Sequence, residues 1–221
     1  MKKILIAICA YVLTLSTTVS ADIGVNVGVS GQMGVFVATA KETETGPTVT
    51  EKSNGREHGA LGFASLFIEK TLGDRLAIGI DYVPSALETE TTETTKQDKT
   101  TADTRTAKTN KLQVDFEDLT TYYLSLNISE SAYIRAGIVT VDVITNENLA
   151  TGSKYGNTDL DGTLLGLGFN KDLDNGLFVR VEGNYMDFDG ASLTSTTNSD
   201  NKITLNSLEG VSGKLSIGKS F

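Results

Sequence analysis

Cysteine, histidine and long apolar runs are nearly missing from this sequence, and each absence closes off a class of protein. The single cysteine, Cys9, lies in the first 21 residues. The chain from Asp22 to Phe221 therefore has neither a disulfide framework nor a thiolate site. The single histidine, His58, stands in Arg56-Glu57-His58-Gly59 with no serine elbow or triad pattern around it. Hydrolytic chemistry generally needs a histidine base beside a nucleophile or an activated water, so the chain is expected not to be an enzyme and to carry no cofactor. No stretch reaches 18 consecutive apolar residues, which excludes a helical membrane protein. Basic charge is also scarce. Removing Lys2 and Lys3 from the 19 basic residues leaves 17 against 28 acidic ones. A net charge of that sign argues against nucleic acid as a partner, because phosphate binding needs a basic footprint.

Residues 1–21 have the layout of an export signal. Lys2 and Lys3 form the basic region, Ile4 to Leu15 an apolar run of 12 residues, and Val19-Ser20-Ala21 a small-residue cleavage site. Twelve apolar residues are too few to span a bilayer as a helix, which takes about 20. Cys9 follows Ile8 rather than a small residue, so a lipoprotein cleavage box is not expected. The signal peptide is expected to be removed, leaving one domain over 22–221.

What is abundant is alternation. From Ile23 to Val37 the odd positions carry Ile23, Val25, Val27, Val29, Met33, Val35 and Val37, with Gly, Asn, Ser and Gln between most of them. The last stretch repeats the pattern: Val211, Gly213, Leu215, Ile217 and Phe221 share one parity, and Ser212, Lys214, Ser216, Gly218 and Ser220 the other. Such a period of two predicts strands with one apolar and one polar face. Strands are predicted at 23–39, 60–70, 75–86, 112–128, 132–145, 161–171, 177–188 and 205–221. The connections at 71–74, 129–131 and 172–176 are short, and those at 40–59, 87–111, 146–160 and 189–204 are long and hydrophilic. Eight strands with loops sorted in this way predict an all-β protein, an antiparallel up-and-down transmembrane barrel with brief turns on one side of the membrane.

Residues 88–111 hold ten threonines, five acidic and five basic residues, and no aromatic. A segment of that composition cannot bury enough apolar surface to offset its ordering entropy, so mobility is expected there.

Assigning faces by alternation puts Phe116, Tyr122, Leu124, Ile134, Leu165, Phe169, Val179 and Tyr185 among the outward residues. Asp81, Asp115, Glu117, Tyr123, Arg135, Asn170, Arg180, Glu182 and Lys214 then point inward. The parity of 60–70 stays open, since Phe63 and Phe67 alternate against Ala64, Leu66 and Ile68. Mixed charges in a narrow lumen should pair with one another, because an unpaired buried charge is costly. Two readings of that lumen remain open: a polar plug that fixes strand register, or a constriction that selects a small solute. Separately, Asp159-Leu160-Asp161-Gly162 and Asp187-Phe188-Asp189-Gly190 should lie side by side at the outer rim. Four carboxylates there could hold a divalent cation, or mark only where strands turn into loops.

The export signal, the eight-strand loop pattern and the terminal Phe221 together resemble small bacterial outer-membrane barrels of the opacity-protein and OmpA-transmembrane type. The resemblance implies Sec-dependent export to the outer membrane and a surround of outer-membrane lipid and lipopolysaccharide. It also implies engagement of the barrel-assembly machinery by the C-terminal strand, with Phe221 as its signal. Because proteins of this kind serve many ends, fold does not settle function. The reading favoured by 88–111 and by the charge-balanced lumen is a plugged barrel that meets an extracellular ligand through its long loops. The alternative, favoured by the glycine- and serine-rich inner faces of the first, sixth and last strands, is a narrow channel for small solutes or ions.

Overall fold

The structure is a computed structural model that describes residues 23–45, 50–101, 104–150 and 152–221. The expected signal peptide, 1–21, lies outside them. The strands are β1 (Ile23–Thr45), β2 (Thr50–Leu72), β3 (Leu76–Tyr82), β4 (Leu87–Glu88), β5 (Thr92–Thr101) and β6 (Thr104–Asn127). They continue with β7 (Ala132–Asn148), β8 (Thr158–Asp172), β9 (Leu177–Phe188), β10 (Ala191–Thr194) and β11 (Lys202–Ser220). β3, β4 and β5 all pair with β6, and β9 and β10 both pair with β11. Pro84, which cannot donate to a ladder, falls in the break between β3 and β4. Eight strand positions therefore go round the sheet, all antiparallel, and β1 closes on β11 from Asn26↔Ser220 to Thr43↔Lys202. Beyond that seam Val25 and Phe221 exchange both backbone hydrogen bonds, at 3.1 and 2.9 Å. A closed antiparallel sheet leaves no edge for lipid to meet, as a membrane-spanning sheet requires.

The three short connections gather at the end that also holds Ile23 and Phe221. Gly73 turns the first with φ 65°, and Asn175 and Gly176 turn the third with φ 63° and 75°. These left-handed angles suit glycine and asparagine.

At the opposite end the strands run much further than apolar alternation predicts. β1 and β2 stay in register residue for residue up to Thr45↔Thr50, so most of the expected loop 40–59 is strand. The Thr-rich segment 88–111 is likewise a hairpin, with β5 pairing β6 from Thr92↔Leu112 to Thr101↔Thr104. Alternation of apolar and polar residues marks only the part of a strand with two different surroundings. Above the lipid both faces meet water, and threonine-rich ladders continue without that signal.

Outward positions form an apolar belt that includes Val29, Met33, Leu66, Leu165, Phe169, Val181, Val211 and Leu215, all of them exposed. A belt that continuous would aggregate a protein in water and suits hydrocarbon. The chain is an eight-stranded transmembrane β-barrel. Among the described residues no helix is long and apolar enough to cross a membrane.

Candidate functional site: the filled barrel interior

Inward-facing side chains from all eight strand positions meet in the lower half of the barrel. Glu69 on β2 accepts from Arg180 Nη2 at 2.6 Å, from Tyr123 OH at 2.9 Å and from Asn26 Nδ2 at 2.8 Å. Glu182 on β9 takes Arg135 Nη1 at 3.0 Å and Tyr133 OH at 2.7 Å. Arg135 Nη2 also lies 3.9 Å from Glu69, which links the two pairs, and Arg135 Nε donates to Ser125 Oγ at 3.1 Å. Its guanidinium lies 3.9 Å from the centre of the Tyr123 ring, and that of Arg180 4.4 Å from the Phe178 ring. Arg180 Nε donates to Asn170 at 3.0 Å. Slightly higher, Lys214 Nζ donates to Asp81. Three cations thus face three carboxylates, which is the balance that a poorly solvated interior demands. Glu69 and Glu182 also take further donors, so charge-assisted hydrogen bonds reinforce those two pairings.

Glycines make room for this cluster. A Cβ on Gly79 would come within 2.5 Å of the Tyr123 ring, and one on Gly168 within 2.4 Å of the Tyr133 ring. The inner wall is thin where the bulky tyrosines lie against it, which is the use of strand glycine for close approach.

Above the charges the filling is apolar. Phe63, Val83, Leu119, Val139, Leu164 and Met186 belong to one buried cluster, with Phe188 and Leu208. Between the polar and apolar layers is a cavity of about 10 Å³ lined by Gln32, Phe63, Asp81, Arg135, Met186 and Lys214. That is room for about one water molecule. Over the mouth, residues 152–157 pack against the stretch between β10 and β11. Thr196 N donates to Lys154 O at 2.6 Å, Thr197 Oγ1 to Gly152 O at 2.7 Å, and Asn201 Nδ2 to Ser153 Oγ at 2.9 Å. Tyr155 is buried there, and burial together with the nearby Glu42 carboxylate pushes its hydroxyl up to about 12.

Of the seven charged residues expected in the lumen, the structure brings together Asp81, Arg135, Arg180, Glu182 and Lys214. Asp115 and Glu117 are a correction: both lie on the outer face. A bulge in β6 places one extra residue between Glu117↔Asp142 and Thr120↔Thr140, with Asp118 at φ 53°. The bulge reverses the parity of the strand above it. Phe116, expected outward, packs against the interior apolar cluster instead. Asp115 accepts from Asn146 at 2.7 Å on the outside. Glu69, at the centre of the network, lies on the strand whose parity alternation left open. Its signal is the run Phe63, Ser65, Phe67, Glu69, in which one charge ends an otherwise compatible face.

Asp159, Asp161, Asp187 and Asp189 all take outward positions at the ends of β8 and β9, and Asp189 N donates to Asp161 O at 2.7 Å. Among the described residues no group of three or more histidine, cysteine, aspartate or glutamate side chains is placed to hold a metal ion. Asp159, Asp161, Asp187 and Asp189 are therefore not part of such a group. They stand at strand ends, where one carboxylate oxygen of Asp161 is buried. His58 lies on β2 opposite Val37 rather than in a loop, and is exposed. Phe221 is exposed beside the seam, with Lys219 Nζ 5.2 Å from its ring centre.

No family model matches the chain, and no curated protein matches it. Solved structures do resemble it. The outer membrane protein OprG of Pseudomonas aeruginosa matches with a TM-score of 0.46 and 14% identity, over 88% of this chain and 96% of that one. The outer membrane protease OmpT of Escherichia coli matches with a TM-score of 0.44 and 10% identity, over 94% and 100%. Ail, the attachment invasion locus protein of Yersinia pestis, in complex with the heparin analogue sucrose octasulfate, matches with a TM-score of 0.36 and 10% identity, over 86% and 99%.

Proposed function

We propose that this protein is a sealed outer-membrane barrel, not an enzyme, whose work is done by the strands and loops it raises above the lipid. One observation supports the reading: three buried ion pairs lie in the lower interior and a buried apolar cluster lies above them. Eight strands enclose just enough space for side chains, which is why these two layers favour a sealed interior. What remains to meet the outside is the β1–β2 ribbon, the Thr-rich β5–β6 hairpin and the interlocked loops at 152–157 and 195–201. These offer an extended polar surface suited to an extracellular ligand or to shielding the membrane beneath. The C-terminal strand, ending in Phe221, is the segment proposed to engage the assembly machinery.

Liposome swelling tests the reading. Vesicles carrying the refolded chain are expected to swell in small sugars and amino acids no faster than empty ones. Trimming the hairpin between Thr94 and Thr109 should leave that result unchanged. Solute-dependent swelling by the intact chain would overturn it in favour of a narrow channel.

A further inference from the structure

Outside the barrel, above the apolar belt, charge is sorted by side. Outward positions on β7, β8 and β9 carry Asp142, Asp159, Asp161 and Asp187, and Asp189 follows just past the end of β9. Outward positions on β1, β2 and β11 carry Lys41, Lys52, Arg56 and Lys202. The register fixes their arrangement. Thr43 pairs with both Lys52 and Lys202, Lys41 pairs with Asn54 and Thr204, and Thr39 pairs with Arg56 and Ser207. A bulge at Thr39/Ala40 realigns β11 so that Lys202 joins this face. Among the described residues none of these four cations enters an ion pair. Glu42, Glu44 and Glu57, on the same strands, fall on the opposite parity. One row lower, His58 and Glu209 flank Val37.

Directly beneath is a groove of about 470 Å³ in the lipid-facing wall, lined by Met33, Val35, Ala60, Gly62, Val211 and Gly213. The Arg56 row is four residues above the Val35–Ala60 row, about 13 Å along strands that rise about 3.3 Å per residue. At a tilt near 45° that is roughly 9 Å of height, comparable to the headgroup layer above the hydrocarbon. An apolar slot lies at acyl depth, and an unpaired cationic ladder at phosphate depth.

We propose that this face of β1, β2 and β11 binds one phosphorylated, multiply acylated lipid of the outer leaflet. An acyl chain occupies the groove, a phosphate lies between Lys41 and Arg56, and Lys52 and Lys202 reach the anionic groups above it. Charge complementarity selects this occupant, since the acidic β7–β9 side repels the same headgroup. The inference rests on the barrel spanning the membrane and holds whether or not the lumen conducts.

The test measures binding of bis-phosphorylated lipid A and of its dephosphorylated form to the refolded chain in zwitterionic micelles. The wild type is expected to hold the phosphorylated form at least about tenfold tighter, on the scale of one lost charge-assisted contact. Lys41→Gln/Lys52→Gln/Arg56→Gln/Lys202→Gln should abolish the preference. Gly213→Leu, where an added Cβ meets nothing within 4 Å, should weaken both forms by filling the groove. A heat-dependent gel shift establishes folding of each variant, and Arg56→Gln alone should reduce the preference if the quadruple variant fails to fold. Equal wild-type affinity for the two lipids, or a preference that survives the substitutions in folded protein, would overturn the proposal. Competition by millimolar inorganic phosphate would reassign the ladder to a free anion. Binding of a soluble sulfated polysaccharide without lipid preference would reassign it to an external polyanion.

Discussion

Glu69→Gln removes one negative charge from the centre of the interior network while keeping the shape of the side chain. In the wild type, Glu69 holds Arg180 at 2.6 Å and lies 3.9 Å from Arg135, with Tyr123 and Asn26 completing its bonds. Without its charge, two buried guanidiniums share the single carboxylate of Glu182. Breaking a buried pair by removing one partner typically costs about 3–5 kcal/mol, because the remaining charge is left uncompensated. The amide oxygen of Gln can still accept one hydrogen bond, so the lower end of that range is expected. The chain has no tryptophan. Unfolding is therefore best followed by the heat-dependent gel shift and by far-ultraviolet circular dichroism in guanidinium. Adding Arg180→Met should recover most of the loss by restoring balance, and the double-mutant cycle should show a coupling well above the ~0.5 kcal/mol of independent sites. A Glu69→Gln barrel as stable as wild type, or strictly additive effects of the two changes, would refute the account of the interior.

The second pair should behave likewise: Asp81→Asn is expected to cost about 3 kcal/mol in guanidinium unfolding, and Asp81→Asn/Lys214→Met considerably less. Gly28→Ala would place its Cβ 2.4 Å from the Ile217 carbonyl oxygen, whereas Gly31→Ala meets nothing within 4 Å. The first should lower stability by about 1–3 kcal/mol and the second by no more than about 0.5 kcal/mol in the same assay. Asp118→Gly, at the left-handed bulge residue, should preserve or raise stability, and Asp118→Val should lower it by about 1–2 kcal/mol. Phe221→Ala leaves the backbone bonds to Val25 intact, so it should reduce assembled barrel in cells while changing the refolded protein's unfolding midpoint little.

How far the sequence discloses this protein follows from where the two faces of a strand differ. Between lipid and lumen they differ strongly, and the alternation of Ile23 to Val37, Leu165 to Phe169 and Val211 to Ile217 gives strand number, direction and membrane face directly. Above the lipid the difference vanishes. The extension of β1 and β2 to Thr45 and Thr50 and the β5–β6 hairpin carry no apolar period, and they read as loops. The interior is legible only through unbroken parity. Arg135, Arg180, Glu182, Asp81 and Lys214 follow from it, but a one-residue bulge at Asp118 carries Asp115 and Glu117 to the outside and Phe116 to the inside. Nothing in the local sequence but an Asp capable of φ > 0 announces that bulge. The apolar upper filling is hidden for another reason. Val139 follows Ile138, Leu164 precedes Leu165 and Met186 follows Tyr185, so large apolar or aromatic residues stand on both faces there and parity alone does not rank the inner one.

The most direct test of a sealed interior is planar-bilayer conductance of the refolded chain, with folding established by the gel shift. The account predicts silence from wild type across the voltage range that the bilayer tolerates. Steady, discrete openings by the folded wild-type chain would contradict it, because ions would then be crossing a lumen that the paired charges and the apolar cluster are held to fill.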